Sequence, residues 1–324
     1  MTISEEILKR KYITCNRDPI LLALGEHLNI ESTGSLENVR QSTRIPLLYN
    51  VGVRRVKNQE LWQGFQEQGR LAYCLERGSL PDTAIIDPNG LLADSKSYTP
   101  PYWDKPLSLK QRRDVNGYIK ALQGSSLSLE KQGACRMDEA AFRKAIGQNG
   151  RHSEVVFVVL QKEGDTTILM WSRWAKSVAN FLGMVQALAR QHPNTLFLIK
   201  PHPLTPCKKV TVSDNIRNAT ALHYKDCLQY CDKVLVVNSG VGLQAMMWGK
   251  PTYMVGDSHY RIAGVNKTIA TPEDMSLVIN DNYRVDREKV LRYIHFLKFV
   301  FWSDIDLSNG VKQCKYIKIR MINP

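Results

Sequence analysis

The sequence predicts an α/β fold built on parallel strands. In the second half of the chain, apolar runs of strand length lie at 155–160, 195–199 and 233–237, and helical patterns separate them. Strands that alternate with helices are typical of βαβ units, whose strands run parallel. Short polar or glycine-containing motifs follow all three runs. Because ligands bind at the carboxyl ends of the strands in open sheets of this kind, we expect a ligand site there.

The first half of the chain mixes short apolar runs with turn residues. Residues 44–51 and 71–75 are predicted strands that end in loops. Residues 83–90 are predicted to form a short strand that enters a tight turn, because their last four residues are Asp-Pro-Asn-Gly. A helix is predicted at 108–124, where Gly124 and two serines end it.

The polar segment 132–150 is predicted to connect two domains, at residues 1–150 and 151–324. In the second domain, a helix is predicted after the first strand, because apolar residues recur there at helical spacing. These residues are Trp174, Val178, Phe181, Leu182, Val185, Leu188 and Ala189. A later helix at 243–248 precedes a strand at 252–255.

The last predicted helix, residues 287–301, is rich in aromatic residues. One interpretation, which we favour, is a helix that packs back across the two domains. The alternative is a surface helix that contacts lipid, with its lysines and arginines on the headgroups. The basic segment 312–320 fits either interpretation.

Composition excludes several classes of protein. The 324 residues are 43% hydrophobic, and no apolar run reaches the length of about 18 residues that a membrane span needs, so none is predicted. The acidic N-terminus is unlike a signal peptide, which predicts a cytoplasmic protein. The seven cysteines form no CxxC pair and no metal-ligand spacing, so we expect reduced thiols and no metal site.

The net charge of +13 predicts anionic partners. No nucleic-acid-binding motif is present and the charge is spread along the chain, so we expect no nucleic acid partner. An anionic membrane surface attracts a few exposed basic residues, and peripheral contact with the cytoplasmic face of the inner membrane is therefore expected.

Two motifs are typical of phosphate binding. Lys200-Pro201-His202-Pro203 follows the strand 195–199, and the prolines stiffen the loop that carries the imidazole. Asn238-Ser239-Gly240 follows the strand 233–237, and Ser239 is a favoured helix cap next to free backbone N–H groups. A surface histidine and an ordinary capped helix are the plainer interpretations of each motif alone.

Carboxylates follow the strand 155–160 within Gln161-Lys162-Glu163-Gly164-Asp165. Near an anomeric carbon, Glu163 and Asp165 could act as nucleophile, acid or base, and paired acids could also bind a divalent metal. A solvated loop is the plainer alternative. In the first domain, Arg77 within Arg-Gly-Ser79 could pair with a carboxylate, and Tyr98 could line the same cleft. A structural ion pair with Glu76 is the alternative for this motif.

Taken together, the motifs resemble those of the capsule-synthesis type β-Kdo glycosyltransferases, which build capsule linkers or cap O-antigen chains and are distantly similar to bacterial sialyltransferases. The resemblance covers residues 70–260. The segments that carry it are 75–81, 87–90, 161–165, 200–203 and 238–245, the last of them before Gly249-Lys250-Pro251.

The resemblance implies a GT-B-like fold, with two Rossmann-like domains, the first on the acceptor side, and the donor in a cleft between them. It implies a retaining transfer of Kdo from CMP-Kdo to a lipid-linked or other surface glycan, without a metal or another cofactor. It further implies roles for single residues. Asp165 is the expected nucleophile and Glu163 supports it; Lys200, His202, Pro203, Asn238, Ser239 and Gly240 surround the CMP phosphate; Arg77, Ser79, Gln161 and Tyr98 face Kdo or the acceptor.

Two further functions remain open from the sequence. Another GT-B transferase could use CMP-sialic acid or a UDP-sugar, and Glu273 is the residue that could contact a UDP ribose. A non-catalytic glycan-binding or scaffold domain of a polysaccharide assembly would keep the fold and tolerate the loss of Asp165.

Overall fold

The computed structural model describes residues 7, 9–130, 132, 137–205, 210–308 and 311–322, and the chain forms two compact units. The first unit consists of Met1–Gln111 and Arg292–Pro324, and the second of Arg112–Leu291. The second unit is therefore inserted into the first, and the chain crosses between them twice. Its strands are numbered β1 to β13 and its helices α1 to α12 in chain order.

The predicted boundary at residue 150 differs from this division. The helix Leu109–Gly124 has most of its length in the second unit. There Lys225 Nζ donates to the carbonyl oxygen of Leu122 at 2.7 Å, and Gln123 Nε2 donates to that of Met247 at 3.0 Å. These hydrogen bonds between residues far apart in sequence fix the helix to the unit that follows it.

The first unit contains a seven-stranded mixed sheet in the order β13-β12-β5-β4-β3-β1-β2. Neighbouring strands from β2 to β4 are parallel, while β5, β12 and β13 pair antiparallel to their neighbours. The strands are β1 Lys11–Thr14, β2 Asn29–Ser32, β3 Ile45–Tyr49, β4 Tyr73–Arg77, β5 Thr83–Asp87, β12 Ser303–Asp306 and β13 Lys315–Lys318.

The second unit contains a six-stranded sheet in the order β11-β10-β9-β6-β7-β8, in which every pairing is parallel. This confirms the predicted α/β class with parallel strands. The strands are β6 Glu154–Val159, β7 Thr195–Lys200, β8 Ile216–Asn218, β9 Lys233–Val236, β10 Thr252–Met254 and β11 Lys267–Thr268.

Helices connect these strands. In the first unit they are α1 Pro19–Leu24, α2 Leu36–Gln41, α3 Val56–Glu67 and α4 Pro100–Trp103, with α5 Leu109–Gly124 and α12 Arg287–His295 running across the two division points. In the second unit they are α6 Glu139–Ala145, α7 Thr166–Trp171, α8 Val178–Gln191, α9 Tyr224–Tyr230, α10 Gly240–Met247 and α11 Leu277–Asn280. Short 3-10 turns lie at Val53–Arg55, Leu92–Asp94, Lys96–Tyr98, Arg173–Ala175, Pro272–Ser276 and Val311–Gln313.

The central strands of the second unit are buried on both faces. Val156, Phe157, Phe197 and Leu198 alternate in direction along β6 and β7, yet all are fully buried. Continuous apolar runs of this kind are expected where helices cover both sides of a parallel sheet. The amphipathic helix α8 supplies one of these covers, and Phe181 in its first turn is fully buried.

The aromatic residues at the end of the predicted last helix lie in the core. After α12, a π-helical turn runs from Phe296 to Phe301, and Phe301 and Trp302 are fully buried. The Trp302 Nε1 donates to the hydroxyl of Tyr98 at 3.2 Å within the first unit. The interpretation in which these aromatic residues contact lipid is therefore wrong. Within the described residues, no helix is both long and apolar enough to span a bilayer.

Candidate functional site

The second sheet has a point where its strand order reverses. β6 lies between β7 and β9. From β6 the chain proceeds to β7 and β8 on one side and then returns to β9 on the other side. The loops that follow β6 and β9 therefore diverge, and in open α/β sheets ligands bind in the crevice at such a point. Three of the predicted motifs, at 161–165, 200–203 and 238–240, follow β6, β7 and β9 at this edge.

Gln161 and Asn238 join the loops on the two sides of this crevice. Gln161 Nε2 donates to Asn238 Oδ1 at 2.8 Å, and the backbone N–H of Asn238 donates to Gln161 Oε1 at 3.1 Å. Asn238 Nδ2 donates in turn to the carbonyl oxygen of Thr167 at 2.9 Å. Asn238 is almost fully buried. These two residues, predicted to contact substrate, therefore form a frame that fixes both loops.

Asp165 is the N-cap of α7. Its Oδ1 accepts from the backbone N–H of Thr167 and from the Thr167 hydroxyl, each at 3.0 Å. That hydroxyl also accepts from Gln161 Nε2 at 2.8 Å, so the carboxylate is tied to the amide frame. Asp165 is half-buried. The structure thus holds one oxygen of a partly accessible carboxylate in a fixed orientation.

Glu163 has a different position. Its Oε2 accepts from the backbone N–H of Val178 at 3.1 Å, at the first residue of α8, although the residue is exposed. A carboxylate at a helix N-terminus satisfies a backbone donor and interacts favourably with the helix dipole. The geometry therefore gives Glu163 a role in holding the start of α8.

Ser239 is the N-cap of α10, as its motif predicted. The Ser239 Oγ accepts from the backbone N–H of Val241 at 3.3 Å. The hydroxyl of Tyr260 donates to the Ser239 carbonyl oxygen. A Cβ at Gly242 would lie 2.5 Å from the Tyr260 hydroxyl oxygen, so only glycine allows Tyr260 to pack against this turn. Gly240, the first residue of α10, is half-buried at the same helix end.

His202 follows β7 in a tight turn. The backbone N–H of Thr205 donates to the His202 carbonyl oxygen at 3.0 Å, with Pro203 as the second turn residue, where its fixed φ is favoured. The backbone N–H of Leu204 donates to His202 Nδ1 at 3.2 Å. The ring proton of the neutral imidazole therefore lies on Nε2.

Burial lowers the pKa of His202 below its usual value of 6.5. The charges of Glu130 and Asp165 oppose this shift, and that of Lys162 adds to it. The imidazole is thus neutral at pH 7 and can donate one hydrogen bond from Nε2. The electrostatic interaction with Asp165 also shows that the motifs after β6 and β7 come close to each other.

Lys200 lies elsewhere than predicted. Its ammonium group is buried, and Nζ donates to the carbonyl oxygens of Ala219 at 3.2 Å, Thr220 at 3.5 Å and Leu222. An ammonium group has three donors, so these carbonyls use all of them. The prediction that Lys200 binds phosphate is wrong for this geometry. Lys200 instead fixes the loop between β8 and α9.

Tyr98, predicted to face the acceptor, is a core residue of the first unit. Its ring packs 5.3 Å from that of Phe301, and its hydroxyl accepts from Trp302 Nε1. Burial raises the pKa of this hydroxyl well above its usual value. Arg77 ends β4 and Ser79 follows it, and both are half-buried. The backbone N–H of Arg77 donates to Glu76 Oε1 at 2.8 Å.

Sequence reasoning missed three residues of the site. Thr167 could have been found from the sequence. It lies two positions after Asp165, where it is close enough for a local hydrogen bond to a capping aspartate. Tyr260 and Gly256 could not have been found in this way, since a loop beyond β10 brings them to the crevice. A Cβ at Gly256 would lie 2.5 Å from the Trp171 carbonyl oxygen and 3.1 Å from Asn238 Nδ2. Among the described residues, no group of three or more His, Cys, Asp or Glu is arranged to hold a metal ion.

The chain is similar to proteins that are already known. The sequence profile of a family described as capsule polysaccharide biosynthesis protein matches residues 110–276. The curated Protein FixF of Sinorhizobium fredii (strain NBRC 101917 / NGR234) is 29% identical over 142 residues. That alignment covers 42% of this chain and 32% of FixF, so the chain matches about a third of that protein's length.

Two solved structures are similar over nearly the whole chain. The β-Kdo 2,4 transferase of Thermosulfurimonas dismutans KpsC has a TM-score of 0.62 at 16% identity, covering 98% of this chain and 94% of that one. The β-Kdo 2,7 transferase of the same KpsC has a TM-score of 0.56 at 16% identity, covering 96% of each chain. At this identity the similarity concerns the fold, and it confirms the predicted GT-B-like fold of two Rossmann-like domains.

Proposed function

The chain belongs to the capsule polysaccharide biosynthesis protein family, and on this basis we propose that it is a retaining glycosyltransferase that moves β-Kdo from CMP-Kdo to a bacterial surface glycan. Family membership and the fold shared with two β-Kdo transferases support transfer of a sugar to a glycan acceptor. The proposal goes beyond this support in three details: the sugar is Kdo, the leaving group is CMP, and the configuration is retained.

The observation that carries the proposal is the order of three groups along one edge of the second sheet. His202 follows β7, Asp165 follows β6 and Ser239 follows β9, and β6 lies between the other two strands. Neighbouring strands lie about 4.8 Å apart, so the edge that carries all three groups is about 10 Å wide. A carboxylate between two phosphate-binding groups suits a donor whose sugar and phosphate are directly joined.

In the proposed reaction, the chain's own groups bind the phosphate of CMP. The N-terminus of α10, with Ser239 as its cap, offers backbone donors and the positive end of the helix dipole. His202 offers the N–H of its Nε2 to a phosphate oxygen. CMP carries a single phosphate, so these groups are sufficient to hold the leaving group without a metal or another cofactor.

Asp165 then acts as the nucleophile. A carboxylate oxygen attacks the anomeric carbon of Kdo, and the bond between that carbon and the phosphate oxygen breaks, with its electron pair leaving on CMP. An acceptor hydroxyl next attacks the same carbon, gives its proton to solvent and displaces Asp165 as a free carboxylate. Two inversions give retention of configuration. Thr167 and the Gln161–Asn238 frame keep the carboxylate oriented through both steps.

The proposal includes a cytoplasmic location with peripheral contact at the inner membrane. The support for it is the net charge of +13, which favours anionic headgroups.

The test measures CMP release from CMP-Kdo, with and without glycan acceptors. Wild-type protein should release CMP in an acceptor-dependent manner, and Asp165→Asn should abolish this. Asparagine suits the test because its Oδ1 can still accept from Thr167 and keep the cap of α7, whereas Asp165→Ala removes the cap as well.

Two results would contradict the proposal. Full turnover by Asp165→Asn would exclude Asp165 as the nucleophile. Absence of release together with absence of a CMP-induced thermal shift in the wild-type protein would exclude CMP-Kdo as the donor. A UDP-sugar transferase or a glycan-binding scaffold would then be the better description.

A further inference from the structure

The first sheet also contains a point where its strand order reverses. β1 lies between β2 and β3, and these strands are parallel. The chain passes from β1 to β2 on one side and returns to β3 on the other, so the loops after β1 and β3 diverge. The rule that locates the crevice beside Asn238 locates a second crevice here, in the first unit.

Two buried amides fix the loops of this second crevice. Asn16 follows β1, Asn58 lies in α3, and they are 8% and 4% exposed. Each side-chain amide donates to the other's oxygen, at 3.2 and 3.3 Å. The backbone N–H of Tyr49, the last residue of β3, donates to Asn16 Oδ1 at 2.8 Å, and Asn58 Nδ2 donates to the Tyr49 carbonyl oxygen at 2.6 Å. The crevice thus has a rigid frame of the same kind as Gln161 and Asn238.

Three arginines lie on the loops that this frame holds. Arg17 directly follows Asn16, and Arg54 and Arg55 end the 3-10 turn between β3 and α3. All three are exposed. The Arg55 guanidinium carbon lies 5.4 Å from the centroid of the Tyr49 ring. Within the described part of the chain, neither Arg17 nor Arg54 has an ion-pair partner.

A carboxylate lies beside Arg55 of this cluster. Asp18 caps α1, where its Oδ1 accepts from the backbone N–H of Ile20 at 3.0 Å, and it interacts electrostatically with Arg55.

Glu76 and Arg77 also interact electrostatically with Tyr49, so two carboxylates and two guanidinium groups surround that ring. Arg17 and Arg54 add two positive charges to the same loops. Arginine is also the side chain best suited to oxyanions, since its planar group donates two parallel hydrogen bonds.

We propose that Arg17, Arg54 and Arg55 bind an oxyanion of the acceptor, either a carboxylate or a phosphate. Identifying the ligand as the acceptor rests on the proposed transferase function, because a transferase needs an acceptor site, and the proposed nucleophile and phosphate-binding groups lie in the second unit. Binding of the anion itself requires no donor and can be measured alone.

The first experiment maps the arginines directly. Phenylglyoxal modifies guanidinium groups, and peptide mass spectrometry gives the rate at each arginine of the intact protein. The probes are methyl glucuronide for a carboxylate, inorganic phosphate for a phosphate, and methyl glucoside as the neutral match. At least one acidic probe should slow modification of Arg17 and Arg54 severalfold, and the probe that does so identifies the oxyanion. The exposed Arg151 of the second unit serves as the control.

Equal modification rates with the acidic and the neutral sugar, and no effect of phosphate, would overturn the proposal. Equal protection of Arg151 would do the same, because it would mean a non-specific effect of ionic strength.

The second experiment uses variants in transfer assays. Arg17→Ser combined with Arg54→Ser should raise the KM for an acidic acceptor at least about tenfold, the loss expected for a hydrogen bond to a charged group. The matched control is Lys11→Ser, because Lys11 is exposed at the opposite end of β1. The KM for CMP-Kdo should remain unchanged in both proteins.

The two proposals fail in different ways. An unchanged acceptor KM in the double variant would overturn the oxyanion site and leave the transferase function intact. If Arg17 and Arg54 were protected but the protein released no CMP, the transferase function would be overturned and the oxyanion site would be supported.

Discussion

The hydroxyl of Thr167 joins Asp165 to Gln161. It donates to Asp165 Oδ1 at 3.0 Å and accepts from Gln161 Nε2 at 2.8 Å. A hydroxyl that donates to one side chain and accepts from another has its proton direction fixed. The carboxylate therefore has a defined orientation relative to the loop after β9.

Thr167→Val should lower kcat about tenfold or more, because a hydrogen bond to a charged group contributes about 1.5–3 kcal/mol. The KM for the donor should change little, since the Thr167 hydroxyl contacts Asp165 and Gln161 and none of the predicted phosphate-binding groups. Thr167→Ser keeps the hydroxyl and should restore most of the rate. Steady-state kinetics of the three proteins provide the measurement. If valine and serine variants had the same kcat, the hydroxyl would have no part in positioning Asp165.

Gly242→Ala should destabilise the second unit and weaken CMP binding. The new Cβ would lie 2.5 Å from the Tyr260 hydroxyl oxygen, so Tyr260 would have to leave the Ser239 carbonyl oxygen to which it donates. We expect a loss of about 1–3 kcal/mol, the usual cost of overpacking a core. Urea denaturation and a CMP thermal shift measure the two effects.

Gly183→Ala is the matched control for this substitution. Gly183 also lies in a helix of the second unit, and a Cβ there meets no atom within 4 Å. Alanine should stabilise the helix by about 0.5–1 kcal/mol, because it loses less backbone entropy than glycine. Equal effects of the two alanines would mean that Tyr260 does not require Gly242.

Lowering the pH from 7 to 5 should destabilise the second unit through His259. Burial lowers the pKa of this histidine to about 3, whereas in the unfolded chain it is near 6.5. Between these values the unfolded state binds a proton that the folded state does not. The contribution of His259 to the free energy of unfolding is therefore complete above about pH 6.5 and is lost as the pH falls. At pH 5 the loss is about 2 kcal/mol.

His259→Gln should remove most of this pH dependence, because glutamine does not titrate. The measurement is the urea midpoint of both proteins at pH 7 and pH 5. The lowered pKa of His202 acts in the same direction, so the urea midpoint of the variant should still fall slightly between pH 7 and pH 5. A variant whose midpoint falls as steeply as that of the wild-type protein would contradict this assignment.

The elements of the second unit follow closely from its sequence. The strands predicted at 155–160, 195–199 and 233–237 agree within a residue with β6, β7 and β9. Short continuous apolar runs are typical of parallel strands that helices cover on both faces, so these runs indicated buried strands. The strands β12 and β13 were not predicted, because each has only four residues and at least half of these are polar.

The candidate site was predictable in its position and less so in its contacts. Asp165 and Ser239 are local features, since each caps the helix that follows it in the sequence. The contacts of Lys200 depend on the loop after β8, and those of Tyr98 depend on Trp302, some two hundred residues further along the chain. Local patterns carry no information about partners at such distances.

The insertion of the second unit into the first determines the order in which the protein can be completed during synthesis. β5 pairs with β12, which emerges from the ribosome only after the whole second unit. Until then β5 has one open edge, and unprotected edges promote association with other chains. The second unit can therefore fold first, while the sheet that carries the arginine crevice is completed only when β12 and β13 have followed it out of the ribosome.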